Sequence, residues 1–343
     1  MSPTILPKSS LTKQSPHAHP VSVSQVTANL LDGTVSGILG LAFNTIASTR
    51  STPLWQALLN NGELESPDMS FWMTRLRGTR NRQTEAPGGV MTLGGTNQTL
   101  FKGDIEFLNT VGQPSFWLLN LRSLTMNGQN IAISSSNALS AIDTGTTLIG
   151  GPTDDVRKFY EAIPGFDTVD DMPGFFSFPC DTDVTATMSY GGKSWPISPQ
   201  DMNLGRASLG SNQCVGGIFD LSRGSSIVSG GGSPHWVVGA TFLKNVYSVF
   251  RASNPPQIGF AELSDAAGGS SGMVPTSGSP PTATNGLTGT FSPTSSGSPG
   301  SGPSDPGSSG NSNSNNAAFK MSPATSVVVL CATVIFGLSS ALL

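Results

Sequence analysis

The run Leu139-Ser140-Ala141-Ile142-Asp143-Thr144-Gly145-Thr146-Thr147-Leu148-Ile149-Gly150-Gly151-Pro152 decides how this chain is read. Apolar residues lead up to Asp143, as in a strand that enters a loop. Gly145 permits a tight backbone turn that bulkier residues resist. Thr144 and Thr146 supply hydroxyls able to hold the Asp143 carboxylate or the neighbouring backbone. Leu148 to Pro152 then lead into a helix. Taken alone, the run fits an Asx-type turn in which Asp143 bonds its own backbone. It fits equally well a carboxylate positioned for chemistry.

The flanking sequence reads as mostly β. Gly89 to Gly95, Phe116 to Leu121, Val237 to Gly239 and Val246 to Phe250 are predicted strands, and Met126-Asn127-Gly128-Gln129 a tight hairpin turn. Two helices are predicted. In the first, Thr52 caps, Pro53 takes the first helical position, Leu54 to Leu59 form the body and Gly62 stops it. The second follows Pro152-Thr153, carries Asp154 and Asp155 at the positive end of its dipole, and runs to about Ala162 ahead of Pro164-Gly165.

Composition narrows the function classes. Of 343 residues only 11% are charged and 36% are apolar, with Gly, Ser, Thr, Asn and Pro filling the gap. A net charge of −4 offers no basic face to nucleic acid. There are three His, two of them (His17 and His19) in the polar start, so no His-rich metal site is expected. Residues 1 to 22 show no apolar periodicity and no signal-peptide core.

The C-terminal quarter changes character. From Ser264 the chain becomes a Ser/Gly/Pro/Thr/Asn tract, read as a flexible, O-glycosylatable stalk. Small residues Asn316-Ala317-Ala318, a polar spacer and the 17-residue apolar segment Val327 to Leu343 follow. That order is the pattern of a glycosylphosphatidylinositol (GPI) anchor signal, with Asn316 as attachment point; a tail-anchored helix is the rival. Of the three cysteines, Cys331 lies in this segment. Cys180 and Cys214 remain, either as a bridge or as buried thiols. A bridge would close a loop of about 35 residues, worth ~3–4 kcal/mol by chain entropy. Asn97-Gln98-Thr99 is an N-glycosylation acceptor in a predicted turn.

Asp143-Thr144-Gly145-Thr146 with its apolar lead resembles the second active-site motif of the pepsin-like aspartic proteases. Trp236 to Leu243 looks like the apolar-apolar-Gly element that threads beside that motif, about a hundred residues later. Val246 to Arg251 and Gln257 to Ala261 resemble the family's closing strands. Ser36 to Phe43, followed by the Pro53-Leu54-Trp55 helix, looks like the matching element of the N-terminal lobe. The Cys180–Cys214 spacing is similar to the disulfide of the C-terminal lobe. These segments occur in the family's order from about Val23 to Leu263.

The resemblance implies a mainly β, bilobed fold and an aspartic endopeptidase acting on polypeptides, without cofactor or metal. In that chemistry two carboxylates face each other and share a proton, because like charges that close resist joint ionisation. The ionised member draws a proton from water, which attacks the peptide carbonyl. Asp143 would be one member, Thr144 would tie the two loops together, and Thr146 would orient the carboxylate.

The first Asp-Thr-Gly motif expected upstream of Ile38 does not occur. Asp32 is too close to Ile38 and reads as a turn residue, and the three Tyr all lie at or beyond Tyr160, leaving no flap tyrosine. A start displaced from the family's own, through truncation or exon skipping, accounts for both this gap and the missing entry signal. The expected division is therefore 1–22 unstructured, 23–115 a partial N-terminal lobe and 116–263 a complete C-terminal lobe. Residues 264–318 would be the linker and 319–343 the anchor signal. The expected setting is a monomer on the outer face of the plasma membrane or in the cell wall. The competing expectation is a catalytically inactive, surface-anchored binding protein on the same fold.

Overall fold

A computed structural model of the chain describes residues 35–47, 49–75, 88–225, 233–270 and 326–330. Residues 1–22, Asp32, Asn316 and most of the linker and apolar tail lie outside them. The described residues are mainly β: two five-stranded sheets, two four-stranded sheets and one strand pair, with short helices between.

One five-stranded sheet joins distant parts of the chain. Its order is Gly89–Leu93, Asp68–Met73, Val246–Arg251, Gln257–Leu263, Phe101–Asn109, antiparallel throughout. The central strand Val246–Arg251 is covered on both faces, and its side chains alternate accordingly. Val246 and Phe250 enter the main core with Ile258 and Phe260. Tyr247 and Val249 enter a second cluster with Trp72, Leu100, Ala261 and Leu263. The strands that end the expected C-terminal lobe thus pair with those of the expected N-terminal part.

An aromatic series carries the main core from this sheet towards Asp143. Phe71 meets Phe250 at 5.5 Å between centroids, Phe250 meets Trp117 at 5.3 Å, and Trp117 meets Phe43 at 4.6 Å. The Trp117 indole donates to Leu41 O (2.9 Å) and the Trp55 indole to Ala42 O (3.2 Å). The Ser36-to-Phe43 element is thereby held against Trp117, whose carbonyl accepts from Ile142 N (3.0 Å). The strand Val35–Gly40 pairs in parallel with Ser326–Leu330, the only described part of the C-terminal apolar run.

The helices fall close to expectation. The first spans Leu54–Asn60 with Pro53, not Thr52, as the capping residue and no side-chain cap bond. The ring's fixed φ is accommodated one position earlier than predicted. The second spans Thr153–Glu161. The hairpin at Met126 to Gln129 forms as read, with Asn127 and Gly128 both at positive φ (48° and 81°), the geometry an Asn-Gly pair supplies. The Phe116-to-Leu121 strand is shorter than predicted, at Leu118–Asn120. Packing also continues past Leu263: Ala267 is buried and its carbonyl accepts from the Trp72 indole (3.1 Å).

Candidate active site

The second five-stranded sheet builds the site. Its order is Ile218–Asp220, Ile149–Gly151, Trp236–Val238, Leu139–Ile142, Leu118–Asn120. Leu139–Ile142 and Ile149–Gly151 are consecutive in sequence but not neighbours in the sheet. Trp236–Val238 is inserted between them, parallel to the first and antiparallel to the second. Residues 143–148 must therefore arch over the end of the inserted strand.

That arch is fastened along its length. Asp143 N donates to Val238 O (3.0 Å), continuing the parallel ladder. Gly239 N donates to Leu148 O (3.0 Å), Ala240 N to Thr146 O (2.8 Å) and Thr241 N to Thr147 O (2.9 Å). Three successive loop carbonyls are thus held by three successive amides at the start of the short helix Ala240–Leu243. The approach is so close that a Cβ at Gly239 would overlap Thr146 O and Leu148 O. A second glycine serves the same packing: a Cβ at Gly151 would enter the Trp236 ring.

The Asp143 carboxylate is buried and aimed by its own loop. Oδ1 accepts from Gly145 N (2.9 Å) and Oδ2 from Thr146 Oγ1 (2.6 Å). The Asx-turn bond read from the sequence forms on Oδ1, and the Thr146 hydroxyl holds the other oxygen. Hydrogen bonds from an amide and a hydroxyl to separate oxygens fix the plane of the carboxylate. Thr144 is buried as well. A carboxylate held this way, at the end of a strand and beside a tightly packed turn, is suited to act as a base towards water.

The other predicted residues lie apart from the loop. Cys180 and Cys214 form a disulfide with Cα atoms 4.9 Å apart. It joins the strand Phe176–Pro179 to Gln213–Gly216, which are already paired. Asn97 is buried; its Oδ1 accepts from Thr99 N (3.1 Å) and Thr99 Oγ1 (2.7 Å). Sequence reading missed a buried polar group, Arg75, Asp201 and Asn245, behind the helix that clasps the loop. Arg75 and Asp201 are 126 residues apart, and no local pattern links them.

Known proteins place this arrangement. The family description "Eukaryotic aspartyl protease" matches residues 17–263. The chain is 38% identical over 260 residues to "Major aspartyl peptidase 1" of Cryptococcus neoformans var. grubii, covering 73% of this chain and 51% of that protein. It is 36% identical over 231 residues to "Aspartic protease" of Phaffia rhodozyma, covering 66% and 51%. With human "Cathepsin D" it shares 29% over 229 residues, covering 66% and 52%. The chain spans about half the length of these relatives. With the matched region running through both the threaded sheet and the Asp143 loop, the chain belongs to the eukaryotic aspartyl protease family.

Proposed function

We propose that Asp143 is one carboxylate of an aspartic endopeptidase, and that this chain carries the half of the site that presents it. The observation that supports this most is the pair of bonds from Gly145 N and Thr146 Oγ1 to separate Asp143 oxygens. A turn-forming aspartate needs only the first. The second orients the carboxylate at the cost of burying a hydroxyl, which makes sense for a group that must hold water in a set direction.

The reaction needs a second carboxylate facing Asp143 to donate a proton to the developing oxyanion. The chain's coverage of about half of each relative leaves room for that group in the remaining part of such a protein. In this reading Thr144 ties the two loops together. The protein acts outside the plasma membrane, held by a lipid attached at Asn316; that processing removes Ser326–Leu330 and leaves the strand Val35–Gly40 without this partner in the mature chain.

The test is cleavage of an unfolded protein at about pH 3–5 by this chain and by a version extended with the rest of the N-terminal lobe. Pepstatin-sensitive cleavage by the extended chain, abolished by Asp143→Asn, is the expected result. Cleavage that survives Asp143→Asn refutes the role of Asp143. Peptide binding without cleavage in the extended chain would instead identify an inactive binding protein. Release from cells by a phosphatidylinositol-specific phospholipase tests the anchor.

A further inference from the structure

We infer that Arg75 is a positioning residue for the Asp143 loop, acting through Asn245 and the helix Ala240–Leu243. This rests on the reading of Asp143 as a reacting carboxylate.

Arg75 follows the strand Asp68–Met73 and is buried, with 3% of its surface exposed. Its guanidinium meets Asp201 Oδ2 through Nε (2.9 Å) and Nη2 (2.8 Å). Nη2 also donates to Asn245 Oδ1 (2.7 Å). Asn245 is fully buried and uses all its capacity. Oδ1 accepts a second bond from Ser198 N (3.0 Å), and Nδ2 donates to Asp201 Oδ2 (3.0 Å) and to Thr241 O (2.9 Å). An amide with two donors and two acceptor sites satisfied has one orientation open to it.

Thr241 carries the connection to the loop. Its carbonyl is held by Asn245, while its amide (2.9 Å) and hydroxyl (3.3 Å) both donate to Thr147 O. Arg75, Asn245, Thr241 and Thr147 therefore form a continuous series of bonds ending one residue from Thr146, which holds Asp143. Replacing a buried ion pair with apolar residues is often neutral for stability. Stability alone is thus a weak reason for a charged group here. Fixing the orientation of Asn245, and with it the turn that clasps the loop, is a sufficient one.

The test is hydrogen exchange followed by NMR on the isotope-labelled chain. Arg75→Gln is expected to speed exchange at the Gly145, Ala240 and Thr241 amides by roughly tenfold more than in the strands Val246–Arg251 and Gln257–Leu263. Arg75→Lys, which keeps a charged donor for Asp201 and Asn245, should restore most of the protection. Arg251→Gln, which breaks the separate Asp68 pair, should loosen the strands and spare the loop. Uniform acceleration, or an unchanged loop, overturns the inference. If Arg75→Gln does not fold, Asn245→Ser read in the same way decides. Because exchange needs no catalysis, a loop that responds to Arg75 while Asp143→Asn leaves cleavage intact would sink the protease reading alone. An essential Asp143 with an unresponsive loop would sink this inference alone.

Discussion

Thr146 Oγ1 donates to Asp143 Oδ2 at 2.6 Å, and Thr146 O accepts from Ala240 N at 2.8 Å. One residue thus fixes the carboxylate with its side chain and the loop with its backbone. Thr146→Val keeps the shape and the backbone bond but removes the hydroxyl. A hydrogen bond to a charged group contributes about 1.5–3 kcal/mol. The variant should lose about that much unfolding free energy in urea titration. In the extended, cleaving chain, kcat should fall about 10–100-fold. Thr146→Ser should recover most of both; a Thr146→Val variant with unchanged kcat would remove the hydroxyl from the site.

Gly239 makes a harsher prediction. Its φ of −104° is open to any residue, so backbone strain is not the issue. The obstacle is the carbonyl wall formed by Thr146 and Leu148, which belongs to the backbone and cannot swing aside as a side chain can. Gly239→Ala should cost about 3 kcal/mol or more, measured by urea unfolding. Gly95→Ala, where a Cβ meets open space, is the control and should be near neutral. Similar values for the two would mean that the inserted strand does not sit as closely as the hydrogen bonds imply.

The elements around Asp143 were legible because their signals are local. The β-branched and aromatic run Val246 to Phe250 identified a strand, Asn127-Gly128 a hairpin turn, and Thr146 lay within reach of Asp143 by sequence spacing. The insertion of Trp236–Val238 between two consecutive strands came from family resemblance, since no periodicity encodes which strands become neighbours. Phe101–Asn109 escaped notice because exposed Lys102, Gly103 and Asp104 near its start interrupt its apolar residues. Arg75 was invisible for a different reason. In Arg75-Leu76-Arg77 it looks like any exposed cation, and only the fold brings Asp201 and Asn245 to it. Pro53 illustrates a finer limit, as helix boundaries shift by one residue without changing what the helix buries.

All three tyrosines of the chain are buried, and burial raises each phenol above its ordinary value of 10.0. Tyr160 donates to Ile218 O (2.6 Å), and the Tyr247 hydroxyl accepts from Asn97 N (2.8 Å). The native state therefore favours the neutral phenols. Their contribution to stability is intact below the unfolded value and is lost as pH rises through the higher folded values. Absorbance at the phenolate band should show no tyrosine ionising near pH 10 while the chain is folded. All three should then ionise together as it unfolds. A single tyrosine titrating early, with the fold intact by circular dichroism, would show that its side chain reaches water.

Asn97 tests whether the sequon is used. Its Oδ1 closes a turn onto Thr99, its backbone amide binds Tyr247, and its Nδ2 is buried without a hydrogen-bond partner among the described residues. A sugar on Nδ2 would occupy volume already filled by protein, so the turn would have to open and release Tyr247. The folded, disulfide-bonded fraction from a secreting eukaryotic host is expected to carry no glycan at Asn97. Peptide mapping before and after glycosidase treatment reads this directly. Asn97→Ala should then destabilise the chain by about 1 kcal/mol, the usual worth of a side-chain bond to backbone, with no change in mass heterogeneity. A glycan found on Asn97 in the folded fraction would mean that the turn from Asn97 to Leu100 adopts another arrangement in the cell.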